Sequence, residues 1–228
     1  MFNVNEIIKA LQTDRNTQRN ALSGAAGLAA GLLLSGGKPG RLIGNAARLG
    51  AVAAIGGLAY TAWQNHQNKQ AGGPAPAPRE DDFVPVDSRP AEQEELGKTL
   101  VRAMIAAAKA DGRIDGEEKD AIFKRLETMS LSAEEKAWVF DELSGPLDID
   151  SVVARADTPE HAAEIYAASL VAISADTAAE RAYLEALASR LRLEPGLVAE
   201  IHATAGQHPP ETHAAPLQPD AYSPRSNI

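Results

Sequence analysis

The sequence predicts an all-α protein, a compact bundle of about seven helices preceded by a glycine-rich apolar segment and a proline-rich linker. Three observations predict it. From Ala91 onward apolar residues recur at helical spacing, with no strand-like alternation competing. Helix-start signals reappear at each new segment. Charge is split along the chain: residues 1–70 carry 7 positive and 2 negative side chains, whereas residues 91–206 carry 12 and 23.

The two halves are therefore +5 and −11, and each implies its own surroundings. A basic apolar segment suits an anionic bilayer surface, while the acidic half repels phosphate and excludes nucleic acid as its partner. The chain has no cysteine, which excludes disulfides, thiol catalysis and thiolate metal sites. About 20 mostly polar residues precede the apolar stretch, unlike a cleavable secretory signal, so the segment is expected to be retained.

Residues 1–20 place Val4, Ile7, Ile8 and Leu11 on one helical face, suited either to a bilayer surface or to packing on protein. Residues 21–63 form a Gly/Ala-rich segment read as membrane-embedded. Within it, residues 21–37 give 17 positions without a charge and residues 49–63 another 15, whereas a bilayer core needs about 20 apolar residues as helix. A helical hairpin turning at Pro39 and Gly40 fits, as does one span over residues 42–63 with Tyr60 and Trp63 at the interface. Gly27 with Gly31 and Gly40 with Gly44 have GxxxG spacing, which lets helices approach closely in lipid and makes a homo-oligomer possible. An Ala/Gly-rich hairpin buried in protein is the alternative. Residues 64–90 read as a flexible linker around PAPAP, and residues 207–228, with five prolines, as a disordered tail.

Residues 91–206 read as one helical domain, with helices near 91–110, 116–129, 133–143, 149–156, 159–174, 178–192 and 195–205. Leu96, Leu100, Val101, Met104, Ile105 and Ala108 form one apolar stripe, and Ile122, Leu126 and Met129 another. Asp115 with Glu118, Ser132 with Glu135 and Thr177 with Glu180 have capping-box spacing, and Thr158 followed by Pro159 is a further start. Trp138, Phe140, Tyr166, Tyr183 and Leu187 are expected in the core. The run AKADGRIDGEEKDAI is echoed about 65 residues later by AISADTAAERAYLEAL, which suggests two halves related by a pseudo-repeat.

Through AAAKADGRIDGEEKDAI and AAEIYAASLVAISADTAAERAYLEAL the chain resembles the TerB-like domain of tellurite-resistance proteins. It is more closely similar to a bacterial inner-membrane family of unknown function, in which a Gly-rich apolar N-terminus and a variable linker precede this domain. The resemblance implies an all-helical domain, an inner-membrane location, no established enzymatic activity and an acidic cluster proposed to bind divalent cations. The matching positions are Asp111, Gly112, Ile114, Asp115 and Glu118 in the first motif and Asp176, Glu180, Arg181 and Tyr183 in the second.

A calcium or magnesium ion would need Asp111, Asp115, Glu118, Asp176 and Glu180 to converge, since hard cations take several oxygen ligands. The spacing is not that of an EF-hand: counted from Asp111, the third position is Arg113 and the twelfth Ile122. The simpler role is that Asp115 and Glu118 cap one helix and Glu180 another, each contributing about 1 kcal/mol. The histidines have no HExxH spacing, and neither a phosphate-binding loop nor a nucleophile elbow is present. The expected function is a membrane-anchored, non-enzymatic interaction or sensing module in envelope or metal-stress physiology, with the lipid bilayer and a protein as partners and the acidic domain in the cytoplasm. The alternatives are a scaffold that oligomerises through its Gly-rich helices and a metal-dependent hydrolase using the same carboxylates.

Overall fold

The computed structural model describes residues 7–8, 42–70, 79–83, 90–112, 131–173, 175 and 177–206. These residues form eight helices and no strand: α1 Leu42–Lys69, α2 Glu80–Phe83, α3 Pro90–Ala108, α4 Ala133–Ser144, α5 Ile149–Val153, α6 Pro159–Ala172, α7 Ala178–Arg190 and α8 Pro195–Thr204. The expected helix near 116–129, with its stripe of Ile122, Leu126 and Met129, lies outside the described residues, as does the tail.

The centre of the bundle is α6. Every residue from Ala162 to Leu170 is buried, so the helix is enclosed on all sides, as its composition of alanine, isoleucine, tyrosine and leucine allows. Against it lies α3, whose expected stripe is buried throughout from Leu96 to Ala108. Small residues set the contact: Ala103, Ala106 and Ala107 bring the backbones close, and Ser169 Oγ donates to the Ala103 carbonyl at 3.4 Å. With α3 and α6 packed on one another, α7 lies on α6, and α4 and α5 lie on α3.

The largest departure from the sequence reading is α1. This helix runs 28 residues without a break and packs on α6 and α8, with Ile55, Leu58, Ala59 and Ala62 inside the same apolar core as Tyr166 and Leu184. Ala59 and Ala62 are fully buried in these contacts, and burial of Ile55 and Leu58 contributes about 1.5–3 kcal/mol each. Residues 42–63 therefore do not stand apart as a span. Among the described residues no helix is long and apolar enough to cross a membrane. The helix also continues to Lys69, into the stretch read as linker. Downstream, α2 returns Phe83 to α1, fully buried with its ring 5.6 Å from Tyr60 and 5.8 Å from Trp63. The aromatics expected at a lipid interface are cross-braced by an aromatic of the same chain.

Ile7 and Ile8 are helical, fully buried and part of the core, so at these two positions the amphipathic face packs on protein. Leu187, Tyr166 and Tyr183 are buried as expected. Phe140 is not: it is 49% exposed, because α4 turns Glu135, Val139 and Leu143 inward, and one residue is a rotation of about 100°. Trp138 is half-buried, with the Arg102 guanidinium 5.6 Å from its ring centre.

Candidate functional site

Three of the expected helix starts are built as the spacing predicts. Ser132 Oγ accepts from Glu135 N at 3.2 Å while Glu135 Oε2 accepts from Ser132 N at 2.7 Å, and Thr177 and Glu180 form the same reciprocal pair at 3.1 and 3.0 Å. Thr158 Oγ1 accepts from His161 N at 3.1 Å ahead of Pro159. Each cap satisfies backbone N–H groups that have no partner inside the helix.

This decides part of the acidic constellation. Glu180 is buried, with Oε2 also accepting from the Thr177 hydroxyl at 3.1 Å, so at least one of its oxygens belongs to the cap. Asp111 lies exposed on the turn after α3, beside Gly112 at φ 142°, a conformation that only glycine takes readily. Asp115, Glu118 and Asp176 lie outside the described residues, as do Gly27, Gly31 and Gly40, while Gly44 falls in the first turn of α1. Among the described residues no three carboxylates or imidazoles gather as a metal site. Arg181 of the second motif reaches back to the carbonyl of Ala175 at 3.2 Å, bracing a residue held at φ 53°.

The bundle interior holds polar groups that the sequence did not mark. Glu164 on α6 is fully buried and neither carboxylate oxygen has a hydrogen-bond partner. Burial holds its carboxyl well above the usual carboxylate range, and the charge of Glu160 pushes the same way. His202 is fully buried, with Nε2 2.9 Å from the Tyr166 hydroxyl. Tyr183 Oη is buried and makes no hydrogen bond of good geometry; burial pushes its phenol up to about 12, and the neighbouring Ser169 hydroxyl acts the other way. Lys109 is buried and donates to the carbonyls of Glu142 and Gly145, at the C-terminal end of α4 where cations are favoured.

A half-open groove of about 840 Å³ lies where the end of α1 meets the α5–α6 and α7–α8 connections. Trp63, Leu191, Leu193 and Leu197 contribute apolar side chains, and His66, Asp157, Arg190, Arg192 and Glu194 contribute charge or hydrogen bonds. Arg190 pairs with Asp150, and Arg192 sits at φ 56° in the turn before α8. Hydrogen bonds from His66 and Gln70 hold Glu194 below the usual carboxylate range. None of these groove residues was singled out by motif, since their meeting depends on the docking of α1.

An all-helical bundle with capped helices, a mainly apolar interior holding a few buried polar groups, and a mixed groove beside α1 is the class of protein the described residues define. The chain belongs to the family described as "Protein of unknown function (DUF533)", whose model matches residues 19–205. It is 29% identical over 130 residues to a Yersinia enterocolitica protein titled "Uncharacterized protein in ampR 5'region", spanning 57% of this chain and 84% of that relative. No solved structure matches.

Proposed function

We propose that the protein is a non-enzymatic, membrane-anchored interaction or sensing module with a TerB-like bundle, held at the bacterial inner membrane by the apolar stretch at residues 21–37 with the bundle on the cytoplasmic side. The observation that carries this reading is α1. One unbroken helix of 28 residues begins just after the uncharged Gly-rich stretch and ends as a wall of the groove, about 40 Å away. An anchor placed before Leu42 would join the bundle through a stiff arm, with the groove presented at the far end to a protein partner. Residues 71–89 then connect α1 to α3 and do not separate anchor from bundle.

The test is fractionation of the full-length chain beside a variant lacking residues 1–41. Full-length protein is expected in the membrane pellet until detergent releases it, and the truncated chain in the supernatant. Full-length protein that stays in the supernatant without detergent sinks the reading, and a periplasmic signal from a reporter fused after Gly206 sinks its orientation. The acidic positions Asp111, Asp115, Glu118, Asp176 and Glu180 add the second part of the proposal, a calcium or magnesium ion at the starts of the repeated halves. Calorimetric titration with either ion should give heat that disappears in Asp111→Asn with Asp176→Asn. If the wild type gives no heat, these residues only shape and cap their helices.

A further inference from the structure

His66, one turn before the end of α1, faces the first turn of α8. Its Nε2 lies 2.9 Å from Glu194 Oε2, and Gln70 Nε2 lies 3.0 Å from the same oxygen and 2.7 Å from His66 Nε2. Toward the Gln70 amide nitrogen 2.7 Å away, which can only donate, a bare Nε2 would accept; toward the carboxylate at 2.9 Å it is a proton on Nε2 that makes the contact attractive, with imidazole and amide both pointing at one oxygen. A bare Nε2 would set two lone pairs facing each other across the same distance. The ring reaches this place because residue 196 is glycine: a Cβ there would stand 2.6 Å from His66 Cε1 and 2.9 Å from Nδ1. Farther along the same two helices Lys69 pairs with Glu200.

The charged groups around the imidazole are Lys69 on its own helix, Glu194 and Glu200 from α8 and its cap, Arg190 and Arg192 from the α7–α8 turn, and Asp157 from the α5–α6 turn. Arg190 is already engaged by Asp150, and Glu194 is the carboxylate in hydrogen-bond contact with the ring. We propose that this junction is a protonation-dependent clasp, in which the charged imidazole of His66 closes α1 onto the start of α8 and thereby sets the width of the groove. Imidazoles change charge between about pH 5 and 8, so the clasp is tight on the acid side of that window and relaxes on the alkaline side. A neutral ring with its proton on Nε2 keeps one hydrogen bond but loses the ion pair, so the clasp loosens without falling open. Glu194, held below the usual carboxylate range by His66, keeps its charge through the window and loses it only in stronger acid.

The clasp is read by hydrogen exchange of the full chain at pH 6 and pH 8, corrected for intrinsic rates, over residues 60–70 and 194–201. Wild type should lose on the order of two- to fivefold in protection at the higher pH, the scale of a partly exposed ion pair, beyond the change in α6, which follows the pH dependence that Glu164 gives the whole fold and serves as the reference for it. His66→Gln and Glu194→Gln should each abolish the pH dependence. Equal wild-type protection at both values overturns the proposal, and so does a pH dependence that survives in Glu194→Gln. If a variant fails to fold, wild type at high salt decides: with the Glu194 carboxylate exposed, the clasp must lose part of its pH dependence there, and a pH dependence wholly indifferent to salt overturns it.

Discussion

At the scale of single residues, the interior separates polar groups that stabilise the fold from groups that strain it. Tyr166 and His202 share a buried hydrogen bond, so Tyr166→Phe leaves a buried nitrogen short of one partner and should cost about 1–3 kcal/mol in chemical denaturation. Tyr183 makes no hydrogen bond of good geometry, only an approach to Ser169, so Tyr183→Phe should cost less than Tyr166→Phe in the same measurement. Glu164 carries the clearest pH dependence. Its folded-state carboxyl titrates above the unfolded value, so the folded chain holds the proton more tightly, and the stability present below about pH 4.5 falls as pH rises through the folded-state value. Glu164→Met should remove that slope and raise the unfolding midpoint more at pH 8 than at pH 5. Equal gains at both would show that the carboxyl is solvated. The burial of Tyr166 and Tyr183 was legible beforehand, but that of Glu164 was not, because a glutamate in the run AAEIYAAS looks like an ordinary solvent-facing position until neighbouring helices close around it. The caps were legible, since Ser132 with Glu135 and Thr177 with Glu180 act within one turn and need no tertiary information. Thr177→Ala should cost about 1 kcal/mol by thermal melting.

At the scale of elements, helices α3 to α8 follow the periodicity closely, and α1 shows where periodicity stops informing. Ile55, Leu58, Ala59 and Ala62 lie at the i, i+3, i+4, i+7 spacing of a single face, which the sequence displays openly. Small and apolar residues suit a neighbouring helix in lipid as well as one in protein, so the same stripe fits both solvents. What identifies the partner as protein is Phe83, which stands in a stretch rich in proline and charge and looks like linker until it reaches Tyr60 and Trp63. Phe140 errs in the opposite direction, an aromatic whose type suggests core and whose phase places it outside. Replacing the fully buried Ala59 by leucine should overpack the α1 contact and destabilise the bundle by about 1–3 kcal/mol, measurable by denaturant titration. An exposed lipid-facing site would tolerate the change.

At the scale of the whole molecule, the domain boundary moves. A sequence reading that starts the domain at residue 91 leaves α1 outside, whereas Ile55, Leu58, Ala59 and Ala62 complete the same core as Tyr166, Leu184 and Ile201. Residues 42–206 should therefore melt in one cooperative transition by circular dichroism, and residues 90–206 alone should bind a hydrophobic dye and melt at lower temperature with a broader transition. Equal midpoints for the two would mean that α1 is dispensable. The union of arm and bundle also bears on how motion is transmitted. A body hung on a slack chain forgets how its attachment point turns, but one fused to a rod of about 40 Å does not: a swing of 10° at the leading end carries the opposite end through about 7 Å. Since the middle of the long helix is locked into the core, rod and bundle turn as one body, and a tilt at the leading end re-aims the groove as a whole.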